Sequence, residues 1–211
     1  MIVVPPLEPA RILVLVSGAG SNMQELVKAA ADPSWGGSVV ALGADRECLA
    51  LEWAKERGIP CFVEPLVHQA ERVRWDQALA ADMRQYEPDL VVCAGFMKLL
   101  GPAVLEAFPG RILNTHNALL PSFPGVHGPR DAVQAGVKLS GATLFFVDPG
   151  VDTGQIVAQT AVPVLFDDTA DSLLERIKVA ERTQLVESVG RLIREGWKID
   201  GRRVDFGSGV L

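Results

Sequence analysis

The chain is 211 residues long, which fits one large domain and is ample for a hydrophobic core. Apolar residues make up 48% and charged residues 22%, the balance of an ordinary soluble globular protein. The net charge of -6 argues against nucleic acid as the main partner, since a duplex-binding surface needs a strong excess of Lys and Arg; a local basic pocket for one phosphate stays open.

The opening MIVVPPLEPA lacks the basic start and long apolar stretch of a signal peptide, and no uninterrupted apolar run approaches the ~20 residues that span a membrane. Its three prolines remove backbone donors, so Met1 to Ala10 is expected as a flexible lead-in. RILVLVS, Arg11 to Ser17, is a continuous apolar run of the kind buried on both faces of a parallel sheet. SNMQELVKAA follows as a helix, with Leu26 and Val27 among its apolar positions and Ser21 or Asn22 as its N-cap. SVVALGA is a second strand, ECLALEWAKERG a helix closed by Gly58, and IPCFV a short strand. From His68 to Tyr86 the pattern is helical, with Val73, Leu79 and Met83 as core positions.

DLVVCAG is the next strand, GPAVLEAF a short helix with proline near its start, and RILNTH another strand. PRDAVQAG reads as a short helix ended by Gly136. GATLFFVD and QIVAQTAVPV are two further strands, and their compact polar connection PGVDTG suits antiparallel neighbours. TADSLLERIKVAERTQLVESVGRLIREG is one long amphipathic helix, and a short strand and tail close the chain. Repeated β-α-β units predict an α/β fold: an open twisted sheet, Rossmann-like and mostly parallel in its front half, antiparallel toward the C-terminus. With no internal repeat or composition break, residues 11–200 read as a single domain and 201–211 as a tail. Cys48, Cys61 and Cys93 are few, odd in number and show no C-x-x-C spacing, which argues against a disulfide scaffold or a zinc site and suits a reducing cytosol.

Two places carry chemistry. SGAGSNMQ, Ser17 to Gln24, sits where a parallel strand enters a helix; Gly18 and Gly20 allow close backbone approach, and the N–H groups of Gly20, Ser21 and Asn22 would face a single phosphate at the positive end of the helix dipole. It matches neither G-x-G-x-x-G nor G-x-x-x-x-G-K-[ST], so dinucleotide and nucleoside triphosphate binding are disfavoured. A plain tight turn with an N-cap accounts for the same residues equally well. In RILNTHNALLPSFPG, strand alternation puts Asn114 and His116 on one face and Thr115 on the other, at a strand's C-terminal end where open α/β sheets bind ligands. Asp152, by default a turn residue, would favour the imidazolium if it lay near His116. The set would then suit acid-base chemistry and oxyanion stabilisation at a carbonyl carbon. Cys93 lies inside an apolar strand and reads as an inert core thiol, so direct transfer without a covalent enzyme intermediate is preferred.

SGAGSNMQ, AGFMKLLGP, LNTHNALLPSFPGVHG and VDTGQIVAQ, in this order and over roughly Arg11 to Arg194, resemble the phosphoribosylglycinamide formyltransferase family of purine synthesis. The resemblance implies transfer of the formyl group of 10-formyltetrahydrofolate to the amine of glycinamide ribonucleotide, directly, through a tetrahedral intermediate, with no metal. It implies that Asn114, His116 and Asp152 are the catalytic trio: His116 the general acid toward the oxyanion, Asn114 a donor to the same oxygen, Asp152 the group that keeps His116 protonated and helps relay the amine proton. By the same resemblance Gly20, Ser21 and Asn22 cradle the substrate phosphate and Glu181 binds the ribose hydroxyls. Met97, Lys98, Leu99 and Leu100, with Asn114, form the folate pocket, and Arg72 is the arginine associated with that co-substrate. Residues from about 11 to 110 would be the phosphate-binding half and about 111 to 200 the catalytic and folate half. The implied partners are small molecules, without nucleic acid or membrane, for a cytoplasmic monomer or homodimer.

Three positions depart from the family pattern. Asn117 stands where proline usually follows the histidine, Phe145 where a histidine is frequent, and Gln155 where proline is common. They bear on loop rigidity and folate contact and remove no member of the trio. The competing functions are formyltetrahydrofolate hydrolase, another small-molecule formyltransferase, and a non-catalytic folate or phosphate-binding relic. The expected short lead-in leaves no room for the hydrolase's regulatory domain, and the acidic chain ending soon after the long helix disfavours the tRNA formyltransferase.

Overall fold

A computed structural model describes residues 1–68 and 71–207. Strand β2 (Ala10–Val16) is the centre of the molecule. Its residues Ile12 to Val16 are all fully buried, as a continuous apolar run between two layers must be. Alternation along it divides the interior. Ile12, Val14 and Val16 join one core with α1 (Ser21–Ala29) and α6 (Ala170–Glu195), while Leu13 and Leu15 join a second with α3 (Arg72–Arg84) and α4 (Pro102–Ala107). β5 (Leu90–Cys93) splits the same way, Leu90 and Val92 to the first core, Val91 and Cys93 to the second. Burial pushes the Cys93 thiol up to about 12, so it stays protonated and inert, as expected.

The main sheet has seven strands in the order β4-β3-β2-β5-β6-β7-β8. β4 (Cys61–Val63), β3 (Gly37–Ala44), β2, β5 and β6 (Ile112–His116) run parallel; β7 (Leu139–Phe146) and β8 (Ile156–Pro163) are antiparallel, joined through the Asp152 turn. This is the predicted fold class. The chain leaves β2 toward β3 on one side and later returns to β5 on the other. Diverging connections at that reversal open a crevice beyond the strand ends, which places the site. α2 (Leu49–Lys55) and α5 (Gly128–Gln134) complete the helices used below.

Several expectations change. Met1 to Ala10 is not a flexible lead-in: β1 (Ile2–Val4) pairs antiparallel with β9 (Trp197–Asp200), which also pairs with β10 (Arg203–Phe206) in a separate three-stranded sheet. The prolines follow β1 and end it without preventing it, and Leu7 N then donates to Ile193 O at 2.7 Å. The expected short strand near the C-terminus is β10, which forms a hairpin with β9; residues 208–211 lie outside the described residues. Gly196, at φ 71, ends α6 where a Cβ would collide with Val4 O, so glycine permits the helix to meet β1. The helix expected from His68 is described from Arg72, with residues 69 and 70 outside the described residues. Val73 is 72% exposed because the stripe formed by Trp75, Leu79 and Met83 faces the core and Val73 falls outside it.

α6 begins with a capping box, Thr169 and Ser172 each accepting from the other's backbone N–H. Just before it, Asp168 accepts from Leu165 N at 2.7 Å, Ser172 Oγ at 2.8 Å and both terminal nitrogens of Arg176. The Arg176 bonds hold the Asp168 carboxyl far below the usual carboxylate range. A depressed folded-state value means that the contribution to stability is present above the ordinary carboxylate range, near pH 4, and fades as pH falls toward the folded value. Asp168→Asn is therefore expected to lower the urea midpoint at about pH 7, with the gap to the parent narrowing as the pH drops below about 4; a gap independent of pH would contradict this reading.

Candidate functional site

The C-terminal ends of β2, β5 and β6 open into one cleft of about 570 Å³. Its first wall is the β2–α1 turn. Gly20 is the N-cap of α1, at φ 74, where the sequence pointed to Ser21 or Asn22. A Cβ at Gly20 would meet Ala50 Cβ at 2.7 Å, so both conformation and space require glycine here. Asn22 does not cap: it is buried, and its Nδ2 donates to Glu181 Oε2 on α6 at 3.0 Å. Glu181 is only 4% exposed, and its Oε1, like Asn22 Oδ1, has no hydrogen-bond partner among the described residues. Two buried acceptors therefore sit unpaired near the start of α1.

The second wall is the segment after β5. Met97 N donates to Ser17 Oγ at 2.9 Å, tying this segment to the end of β2. Met97, Lys98 and Leu99 border the cleft. Leu100 instead packs against the second core, and Arg72 lies outside the lining, donating to Leu99 O and so bracing the segment from behind. Asp76 accepts from Gly101 N and Ala103 N, both at 2.7 Å, capping α4 and fixing the segment's far end. Beneath Lys98 lies Asp45, a buried carboxylate whose Oδ2 is 2.6 Å from Arg46 Nη2 and 3.8 Å from Lys98 Nζ. Burial pushes the Asp45 carboxyl up, but hydrogen bonds with Arg46 and Ser17 outweigh it and hold the group below its ordinary value.

The third wall holds the predicted trio. Asn114 and His116 both border the cleft; Thr115, which alternation puts on the far face, borders it too, because the cleft lies off the end of β6 and not over one face. The Asn114 amide makes no hydrogen bond within the described residues, leaving a donor available at the cleft. His116 Nε2 lies 2.7 Å from Phe123 O. A carbonyl only accepts, so Nε2 carries a proton, and proton exchange has to run through Nδ1. Nδ1 stands 3.6 Å from Asp152 Oδ2, an electrostatic contact too long for a formed hydrogen bond. The same carboxylate oxygen accepts from Gly125 N at 2.7 Å. The loop after His116 is thus pinned at Phe123 by the imidazole and at Gly125 by the aspartate. Thr143 and Gln159 anchor its start: Leu120 N donates to Thr143 Oγ1 at 3.0 Å, and Gln159 Nε2 donates to Leu120 O at 2.8 Å.

The formyl transferase family model matches residues 10–189 of the chain. A phosphoribosylglycinamide formyltransferase of Mycobacterium tuberculosis (strain H37Rv) is 50% identical over 207 residues, covering 98% of this chain and 96% of that protein. One from Bacillus subtilis (strain 168) is 36% identical over 173 residues, covering 81% of this chain and 88% of its own. Among solved structures, glycinamide ribonucleotide transformylase 1 from Symbiobacterium toebii superposes with a TM-score of 0.89 at 39% identity, covering 93% of each chain.

The chain belongs to the formyl transferase family.

Within this formyl transferase family member the three departures fall in different settings. Asn117 borders the cleft, with Gly128 packed against its carbonyl: a Cβ at Gly128 would come within 2.8 Å of Asn117 O. Phe145 is buried and pairs with Asn114 across the antiparallel ladder. Gln155 accepts from Phe146 N at 2.9 Å through its backbone, a role any residue can fill. Sequence reasoning missed Lys178, which borders the cleft from α6 and is ion-paired with Glu175 at 2.7 Å. Its spacing of three residues before Glu181 puts both on one helix face and was available as a signal. It also missed Phe123 and Gly125, whose contribution is backbone and leaves no side-chain trace. Asn22→Ala would leave the Glu181 carboxylate buried without its donor and is expected to destabilise by about 1–3 kcal/mol, whereas Glu181→Gln keeps an acceptor for Asn22 and should destabilise less. Urea unfolding of the two variants measures this, and equal losses would refute the assigned bond.

Proposed function

We propose that the chain transfers the formyl group of 10-formyltetrahydrofolate to the amine of glycinamide ribonucleotide, in purine synthesis. The reading rests above all on one observation: His116 Nδ1 and Asp152 Oδ2, 3.6 Å apart, share a single cleft with the free N–H groups of the Gly20–Asn22 turn. Its names come from relatives, and its chemistry from the walls. The N-terminus of α1 and the Lys178 ammonium suit a phosphate dianion. Glu181 Oε1 is an acceptor for ribose hydroxyls. The apolar, exposed side chains of Met97 and Leu99 suit the flat ring of a folate, with the backbone of the same segment available for its polar edge. Arg72 serves this pocket through Leu99, without facing the ring.

The folate supplies the formyl carbon. Transfer forms a bond from the glycinamide nitrogen to that carbon and breaks the bond from the carbon to folate N10; the amine loses a proton and N10 gains one. Asn114 Nδ2 and a protonated His116 Nδ1 donate to the formyl oxygen as it takes up negative charge. Asp152 stabilises the imidazolium and takes part in relaying the amine proton. Phe123 O fixes the ring so that Nδ1, and not Nε2, faces the reaction. With this function go a cytoplasmic location and a monomeric or homodimeric enzyme.

The test follows tetrahydrofolate formation from 10-formyltetrahydrofolate with and without glycinamide ribonucleotide. Turnover is expected only with the acceptor; acceptor-independent turnover would show a hydrolase, and none in either case a binding relic. His116→Ala should lower kcat by roughly 10²–10⁴ while KM for folate changes little. Asp152→Asn should lower kcat and shift its pH profile, and unchanged turnover in both variants would overturn the assigned roles.

A further inference from the structure

The turn that carries Asp152 is held from inside and from outside. Inside it, Asp148 Oδ1 accepts from Gly150 N at 3.0 Å and from Thr153 Oγ1 at 2.6 Å. Asp152 itself sits at φ 54, a left-handed conformation that residues other than glycine rarely hold unless their surroundings fix it. The outside restraint comes from the β9–β10 turn. Arg202 donates through Nη1 to Thr153 O and through Nη2 to Gly154 O, the latter at 3.1 Å. These carbonyls belong to the two residues that directly follow Asp152. Gly154 packs closely against β7, where a Cβ would run into Phe146 O, so the close approach requires glycine.

The base of this clamp is rigid. β9 is paired on both sides, with β1 and with β10. Trp197 is fully buried, stacks on Phe146 at 5.9 Å and donates from Nε1 to Gly110 O at 3.0 Å. Arg202 does not border the cleft, so it acts on the reaction only through the backbone it holds.

We infer that Arg202 is a positioning residue for Asp152: planted on the C-terminal hairpin, its guanidinium fixes the two peptide groups after the aspartate and keeps the carboxylate aimed at His116 Nδ1. The inference rests on the catalytic role proposed above for Asp152. The planar fork of arginine spans two neighbouring carbonyls at once, which a lysine ammonium does not match. Through β9 the same clamp links the N-terminal strand β1 to the catalytic aspartate, so the edge sheet serves the site as well as covering the core.

A double-mutant cycle separates positioning from general stability. kcat, KM for both substrates and the kcat pH profile are measured for Arg202→Ala, Arg202→Lys, Asp152→Ala and the Arg202→Ala/Asp152→Ala pair. Arg202→Ala is expected to lower kcat by roughly tenfold to a hundredfold, the range produced by small misplacements of catalytic groups, with KM little changed. Arg202→Lys restores part of the loss. In the Asp152→Ala background, removing Arg202 lowers kcat no further. Hydrogen exchange supplies a readout independent of turnover: the Gly125 amide, protected by Asp152, exchanges faster in Arg202→Ala. Should Arg202→Ala fail to fold, Arg202→Gln carries the same cycle. If Asp152→Ala impairs kcat and the Arg202 effect is additive to it or absent, the positioning role is overturned while the role of Asp152 stands. If Asp152→Ala leaves kcat intact, the catalytic reading fails and takes this inference with it.

Discussion

Five consecutive residues of β2, Ile12 to Val16, lose all contact with solvent, and each such aliphatic side chain contributes about 1.5–3 kcal/mol when fully buried. Burying both faces of one strand demands a layer on each side. That demand sets α1 and α6 on one face, α3 and α4 on the other, and the chain reversal between β3 and β5 that joins them. The cleft is a consequence: where connections leave β2 and β5 in opposite directions, nothing covers the strand ends. Ser17 and the Asn114–His116 stretch stand at that opening because they are where the buried apolar runs of β2 and β6 give way to polar residues.

Several polar side chains that enter the interior here border the cleft or brace its walls. Asn22 and Glu181 are joined by one hydrogen bond across α1 and α6, which leaves one buried acceptor apiece unpaired. Asp45 holds a charge below the Met97–Leu99 wall, offset by Arg46 and Lys98. Asp76 spends both carboxylate oxygens on the backbone that ends the same wall. Such groups are costly to bury unless paired, and their pairing makes the cleft stiff. The same stiffness sets the imidazole: Phe123 O holds His116 Nε2, so Nδ1 is the nitrogen that faces Asp152.

How far the sequence could be read depends on what kind of force placed each residue. Periodicity located β2, β5, β6 and α6 well, since their burial follows from the local pattern of apolar side chains. It failed at Met1 to Ala10, where prolines suggested disorder but pairing with β9, nearly the whole chain away, made a strand. It failed at Val73, apolar yet exposed, because the face a helix buries is chosen by Trp75 and Leu79 together. Leu100 shows the same limit: membership of a motif did not decide whether its side chain turned to the cleft or to the core. The capping role assigned to Ser21 or Asn22 went to Gly20, since a buried carboxylate 159 residues away had a stronger use for the Asn22 amide.

By itself, the sequence determined the fold class, the position of the glycine turn at the end of the first parallel strand, the shared face of Asn114 and His116, and the family through its four motifs. Each depends on short-range pattern or on residue identity. Only the tertiary structure decided which nitrogen of His116 is free, that Asp152 stands 3.6 Å from it, that Arg72 works through Leu99, and that the C-terminal hairpin grips the Asp152 turn. Those facts join residues that are not neighbours in the chain, and apart from the His116–Asp152 contact they run through backbone carbonyls, which leave no mark in the sequence.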